Sequence, residues 1–228
     1  MNLKAIIFDK DGTLFDIQRS WSDWCNIFIR KFCDKYKIET EKLAQALNFD
    51  LKLNVFKKES IFVHGSIDEV IDRVHTVFPT IGKEKIHHSL FEDIADAKQF
   101  PLTDLDKLFV QLKDFKLGLV TNDSENNAQQ HLSQHNLIKY FDRIFGYDSG
   151  YGAKPESGQL LAFCNQMFLE PNEVLMVGDS RYDLIAAKNI NMSCLGVLSG
   201  TASREELKEY TPHLIDSIDT LYPWLNKI

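Results

Sequence analysis

The sequence has no excess of basic residues: 26 lysines and arginines stand against 33 aspartates and glutamates, a formal net charge of -7. A surface that binds polyanions needs clustered positive charge, so this balance argues against nucleic acid or a membrane surface as partner. A small anionic substrate is not excluded, because a bound metal and one lysine can reverse the local field. A C-x-x-C pair is also missing. The four cysteines, Cys25, Cys33, Cys164 and Cys194, each sit among apolar residues, which predicts buried free thiols. No long apolar run opens the chain; the one between Met1 and Asp9 is too short to export the protein or to span a membrane. Together with the free thiols this points to a cytoplasmic location. No internal repeat or low-complexity stretch stands out. The rest is ordinary for a globular chain of 228 residues, with 44% hydrophobic and 26% charged residues, enough for one large domain or two smaller ones.

Short apolar runs at residues 5–8, 117–120, 144–145, 174–177 and 194–198 read as buried strands. Between most of them apolar residues recur at helical spacing. Leu105, Leu108, Phe109 and Leu112 form one such face, and Ala128, Leu132 and His135 a second. Leu160, Leu161, Cys164, Met167 and Phe168 form a third, and Leu184, Ala187 and Lys188 a fourth. Strands alternating with helices imply an α/β fold, a parallel sheet covered on both faces. Residues 17–98 break that rhythm. Trp21, Trp24, Cys25, Phe28 and Phe32 repeat at helical intervals, and Leu43 and Leu47 mark a second helix. A third is expected to begin at Ser66, with Glu69 completing a capping box and Ile67, Val70, Ile71, Val74 and Phe78 on its apolar side. No strand is expected here. The chain therefore divides into a core, residues 1–16 and 99–228, and a helical insertion, residues 17–98.

Four strand ends carry polar groups. The first run ends in Asp9-Lys10-Asp11-Gly12-Thr13, two carboxylates that repel unless a cation or a proton intervenes. Gly12 permits a sharp turn there. The second ends in Thr121-Asn122-Asp123-Ser124, where a hydroxyl, an amide and free helix N–H groups could hold phosphate oxygens. Lys154 precedes Pro155, a residue suited to a helix's first turn, which puts the lysine at a helix entrance. The fourth segment is Gly178-Asp179-Ser180-Arg181-Tyr182-Asp183, whose two acids four apart would share a helix face. Each segment alone has a plain explanation as a turn, a helix cap or a solvated lysine. Their conjunction is the signal, because the carboxyl ends of the strands of an open parallel sheet form one edge. Carboxylate oxygens without nitrogen or sulfur ligands suit magnesium.

These segments resemble the four motifs of the haloacid dehalogenase superfamily of phosphatases, close to its phosphoglycolate phosphatase-like branch, from Phe8 to about Met192. The resemblance implies a Rossmann-like core with an inserted, mobile, all-helical cap. It implies magnesium-dependent hydrolysis of a small phosphorylated metabolite through an aspartyl phosphate. Asp9 is then the nucleophile and Asp11 the general acid and base. Asp9 and Asp179 ligate magnesium through carboxylates and Asp11 through its backbone carbonyl. Asp183 holds a metal-bound water or Lys154, and Thr121, Asn122 and Lys154 hold the phosphoryl group. Two positions depart from the family pattern. Ser157 replaces a frequent second proline, and Ile190-Asn191 replace a frequent Ala-Gly pair.

A dehalogenase would not need Asp11, and a phospho-receiver would carry its acid on a later strand without a helical insertion. A sugar-phosphate mutase shares every motif and differs only in the fate of the aspartyl phosphate. Lys10 is expected either to screen Asp9 or to point at the cap. His131 and His135 have the spacing of a zinc pair without an acidic partner motif, so a surface or packing role is expected. His87-His88 and Lys57-Lys58 read the same way, and Trp21 and Trp24 as packing within the insertion.

Overall fold

A computed structural model describes residues 2–57, 60–64, 67–92 and 97–227. The chain separates into two compact units, Met1–Asp16 with Phe100–Ile228, and Ile17–Gln99.

The first unit is built on a six-stranded sheet. Its strands are β1 (Ala5–Phe8), β4 (Lys116–Val120), β5 (Arg143–Phe145), β6 (Val174–Gly178), β7 (Ser193–Val197) and β8 (Leu214–Ile215). They lie in the order β5-β4-β1-β6-β7-β8, all pairs parallel. Helices α6 (Leu105–Gln111), α7 (Glu125–Ser133), α8 (Gly158–Met167), α9 (Arg181–Lys188), α10 (Arg204–Lys208) and α11 (Leu221–Leu225) connect or follow them. Side chains alternate across the sheet with period two. Ile6 and Phe8 therefore join Leu108, Phe109, Ala128 and Leu132 on one face. Ala5 and Ile7 join Leu160, Phe163, Leu184 and Ala187 on the other. This is why β1, β4 and β6 read as continuous apolar runs: both faces are covered. β1 lies between β4 and β6, so the sheet's order reverses at its carboxyl end, the place where open α/β sheets bind ligands.

The second unit holds α1 (Ile17–Tyr36), α2 (Thr40–Ala46), α3 (Ile61–His64), α4 (Ile67–Val77) and α5 (Lys83–Phe91) around its own apolar core. Trp24 stacks on Phe28 with ring centroids 5.4 Å apart, and both tryptophans are buried. The expectation of no strand here is corrected by a small antiparallel pair, β2 (Phe49–Asp50) and β3 (Val55–Phe56). Strands of two residues are too short to show alternation. Asp50 organises the turn between them, its Oδ1 accepting from the N–H groups of Lys52 and Leu53, both at 3.0 Å. Ser66 and Lys58 lie outside the described residues.

All four cysteines are free and buried. Among the described residues no helix is long and apolar enough to cross a membrane. One expected apolar face is narrower than its spacing implied. Phe168 is 94% exposed and Leu161 is 38% exposed. Phe168 caps α8 at φ 56°, a left-handed conformation that turns it out of the helix stripe.

Candidate active site

Asp9 follows β1 directly, and its N–H donates to Val177 O at 2.9 Å, so the β1–β6 ladder holds it. The chain then turns tightly. Leu14 and Phe15 both donate backbone N–H groups to Lys10 O, at 2.9 and 3.1 Å, and Gly12 adopts φ +84°. A side chain there would be strained, and its Cβ would lie 2.6 Å from Asp179 Oδ2. The turn therefore brings the end of β1 against the end of β6.

Lys154 crosses to the same point. Its Nζ lies 2.5 Å from Asp9 Oδ1, 2.5 Å from Asp183 Oδ1 and 3.0 Å from Val120 O, three acceptors for three ammonium hydrogens. The expected helix entrance at Pro155 is corrected: α8 begins only at Gly158. Before it, Glu156 N–H closes a turn on Ala153 O at 2.9 Å. Asn122 fixes that turn, its Oδ1 accepting from Lys154 N at 2.8 Å and its Nδ2 donating to Lys154 O at 2.9 Å. The amide expected on a phosphate is thus occupied with holding the lysine's backbone. Thr121 is buried, and its Oγ1 accepts from Asp123 N at 3.1 Å.

Asp183 lies in the first turn of α9, where its Oδ2 accepts from Ser180 N at 3.0 Å and Ser180 Oγ at 2.7 Å. That leaves Oδ1 for Lys154. Asp179 directly follows β6 and accepts at Oδ2 from Thr201 N at 2.9 Å. The loop carrying Thr201 follows β7 and also places Ser199 Oγ 2.8 Å from Gly12 O. These residues carry no sequence motif, and only the β6–β7 pairing brings them to the site.

Asp9, Asp179 and Asp183 each offer an oxygen within 4.8 Å of the others, and all three are buried. Burial pushes the Asp9 carboxyl up to about 7; Lys154 pulls it down and Asp183 and Asp11 push it further up. Burial also raises Asp179 well above the carboxylate range, with Asp9 and Asp183 adding to it. Burial works against the Lys154 ammonium, yet Asp183 and Asp9 outweigh it and its pKa is raised. Three carboxylates against one ammonium leave a formal charge of -2. A divalent cation would neutralise that charge, and an all-oxygen donor set suits magnesium. The residues present therefore fit the metal.

Lys10 is fully buried and pairs with Asp11, Asp123 and His131. His131 is correspondingly buried in this polar cluster, while His135 packs its ring against Phe15 at 5.6 Å.

A family profile described as haloacid dehalogenase-like hydrolase matches residues 6–197. A phosphoglycolate phosphatase from Psychrobacter arcticus is 25% identical over 233 residues, covering all of this chain and 97% of its own. Pyrophosphatase PpaX from Bacillus mycoides is 23% identical over 239 residues, covering 100% and 99%. Among solved structures, a predicted phosphoglycolate phosphatase from Haemophilus somnus superposes with TM-score 0.74 at 18% identity over 99% of each chain, a likeness of fold.

Proposed function

On the premise that the chain belongs to the haloacid dehalogenase-like hydrolases and is a phosphatase among them, we propose that it hydrolyses a small phosphate monoester with magnesium, through a phosphorylated Asp9. The observation that carries this reading is the buried cluster of Asp9, Lys154, Asp179 and Asp183 at the sheet's reversal point. Asp9 and Asp179 would hold the metal with their carboxylates, Asp11 with its backbone carbonyl, and Asp183 from behind Lys154. When bound, magnesium supplies positive charge that screens the nucleophile from the incoming phosphate and stabilises the transferred oxygens.

Asp9 forms a bond to phosphorus as the bond to the leaving oxygen breaks, and Asp11 gives that oxygen a proton. Asp11 then takes a proton from water as it attacks the aspartyl phosphate, which releases inorganic phosphate and restores Asp9. Lys154 stands beside the nucleophile, where its charge offsets that of the transferred group. Thr121 and the backbone of Asn122 bind phosphoryl oxygens, while the Asn122 side chain keeps Lys154 in place. Positioning and charge neutralisation dominate such transfers.

Phosphoglycolate is the first substrate to test and pyrophosphate the second, since relatives carry both names. In this reading the unit Ile17–Gln99 acts as a substrate-selecting cap, because it leaves the chain directly after the Asp9–Asp16 segment. The deciding experiment is a screen of small phosphate esters and pyrophosphate with magnesium, on wild type and Asp9→Asn. Hydrolysis by wild type and none by Asp9→Asn is expected. Equal hydrolysis by both would remove Asp9 from the mechanism.

A further inference from the structure

The loop after β1 carries a second buried lysine that the chemistry above does not use. The Lys10 Nζ lies 2.8 Å from Asp11 Oδ2, 3.1 Å from Asp123 Oδ2 and 3.0 Å from His131 Nδ1. An ammonium donates and cannot accept, so His131 Nδ1 takes a hydrogen bond from it while the two carboxylate oxygens pair with its charge. The arrangement assigns His131 as an acceptor at Nδ1, which puts its own proton on Nε2.

The partners are themselves held. Asp123 Oδ1 accepts from Ser124 N at 2.7 Å and from Asn127 Nδ2 at 2.9 Å. His131 sits fully buried in the last turn of α7, and the backbone carbonyl of Lys10 is pinned by two N–H groups. The cluster thus ties the β1 loop to the β4 loop and to α7. Burying an ammonium is costly unless it is paired, and apolar residues in place of the lysine and its partners together would fill the space at lower cost. Packing alone does not explain a lysine here. What the lysine adds is a fixed hydrogen-bond donor to one oxygen of Asp11.

We propose that Lys10 is a positioning residue for Asp11: braced by Asp123 and His131, it holds Asp11 Oδ2 and so fixes the orientation in which the carboxyl exchanges a proton with the leaving group. Asp123 and His131 then act on the reaction only through Lys10. This inference rests on the acid–base reading of Asp11.

The test compares kcat/KM on two esters with magnesium present, because kcat/KM reports only the steps through departure of the leaving group. One is p-nitrophenyl phosphate, whose leaving group departs as a stable anion. The other is the best alkyl phosphate from the substrate screen, whose leaving oxygen needs a proton. A general acid contributes roughly 10²–10⁴-fold where a proton is needed. Lys10→Met should therefore lose roughly 100-fold on the alkyl ester and at least about tenfold less on the nitrophenyl ester. His131→Leu should show the same selectivity, and His131→Asn, which offers a carbonyl oxygen near the Nδ1 position, should recover most of the loss. Activity on the nitrophenyl ester reports that each variant is folded. Should Lys10→Met fail to fold, Asp123→Asn carries the same test. Equal losses on both esters, or none on either, overturn the proposal. Asp11→Asn tests the reading beneath it and should show the same selectivity. Without that selectivity, the acid–base role of Asp11 fails and this inference with it. Selectivity in Asp11→Asn beside equal losses in Lys10→Met overturns the inference alone.

Discussion

Lys154 and Lys10 are both buried lysines among carboxylates, yet Asp9 and Asp179 near the first shift the opposite way from Asp123 beside the second. Around Lys154, burial and mutual repulsion push Asp9 and Asp179 up. Around Lys10, burial also works against Asp123, but Lys10 and the Asn127 amide outweigh it and hold that carboxyl below its ordinary value. The ingredients are alike and the balance differs. Near Lys154 three carboxylates share one cation. Near Lys10 two carboxylates share one cation, whose third contact is the His131 imidazole. The first cluster is short of positive charge, which suits a cation that arrives from solution. The second, two carboxylates on one ammonium, is closer to balance, which suits a fixed support.

The comparison can be broken most decisively at Asp9. Asp9→Asn should reduce turnover to below roughly a thousandth of wild type while leaving the circular dichroism spectrum unchanged, since a nucleophile's loss removes nearly all covalent catalysis. Activity within tenfold of wild type would break it. Magnesium is the next lever. Activity should vanish with chelator and return with magnesium, and calcium should substitute poorly because it prefers looser, higher coordination. Magnesium at 100 times its Kd should also add about 2.7 kcal/mol to unfolding stability. Asp179→Ala should lose most of that gain, and an undiminished gain would remove Asp179 as a ligand.

Stability then separates the two lysines. Removing one partner of a buried ion pair costs about 3–5 kcal/mol. Lys154→Met and Lys10→Met should each fall in that range by denaturant unfolding without metal. Saturating magnesium should recover part of the first loss and none of the difference that the second makes. Equal recovery in both would erase the distinction drawn between the clusters.

The smallest effect is in pH. An acid whose folded pKa is raised stabilises the fold where it is protonated. The Asp9 contribution is therefore full below its ordinary 3.8 and is lost as pH rises through about 7. Asp123, with its value lowered, contributes stability above the ordinary carboxylate range and loses it in acid. In chelator, urea midpoints should decline from about pH 4 to about pH 7 through Asp9, and Asp9→Asn should flatten that decline. Asp123→Asn should instead soften the loss on the acid side. A decline that Asp9→Asn leaves untouched would locate it elsewhere.

The residues around Lys154 were legible because each follows an apolar run that both-sided burial makes continuous. The end of such a strand is readable locally, and parallel pairing sends Asp9, Thr121 and Asp179 to one edge. Elements of two residues, β2, β3 and β8, were not legible, since a pair of residues has no period. Nor was the start of α8. Proline suggested a helix entrance, but Asn122, 32 positions away, holds the turn that delays it.

By itself, then, the sequence determined the alternating α/β core, the helical insertion and the positions of the carboxylates at the strand ends, because periodicity and turn chemistry act over a few residues. Which atoms Lys10 pairs with was set by tertiary contacts. Its partner His131 lies 121 positions along the chain, and nothing local distinguishes a histidine that faces solvent from one that braces a buried ammonium. The same holds for Thr201 and Ser199, which reach Asp179 and Gly12 only because β7 pairs beside β6. A side chain's direction across the sheet edge is set by what packs against it, and that is known only once the strands are in order.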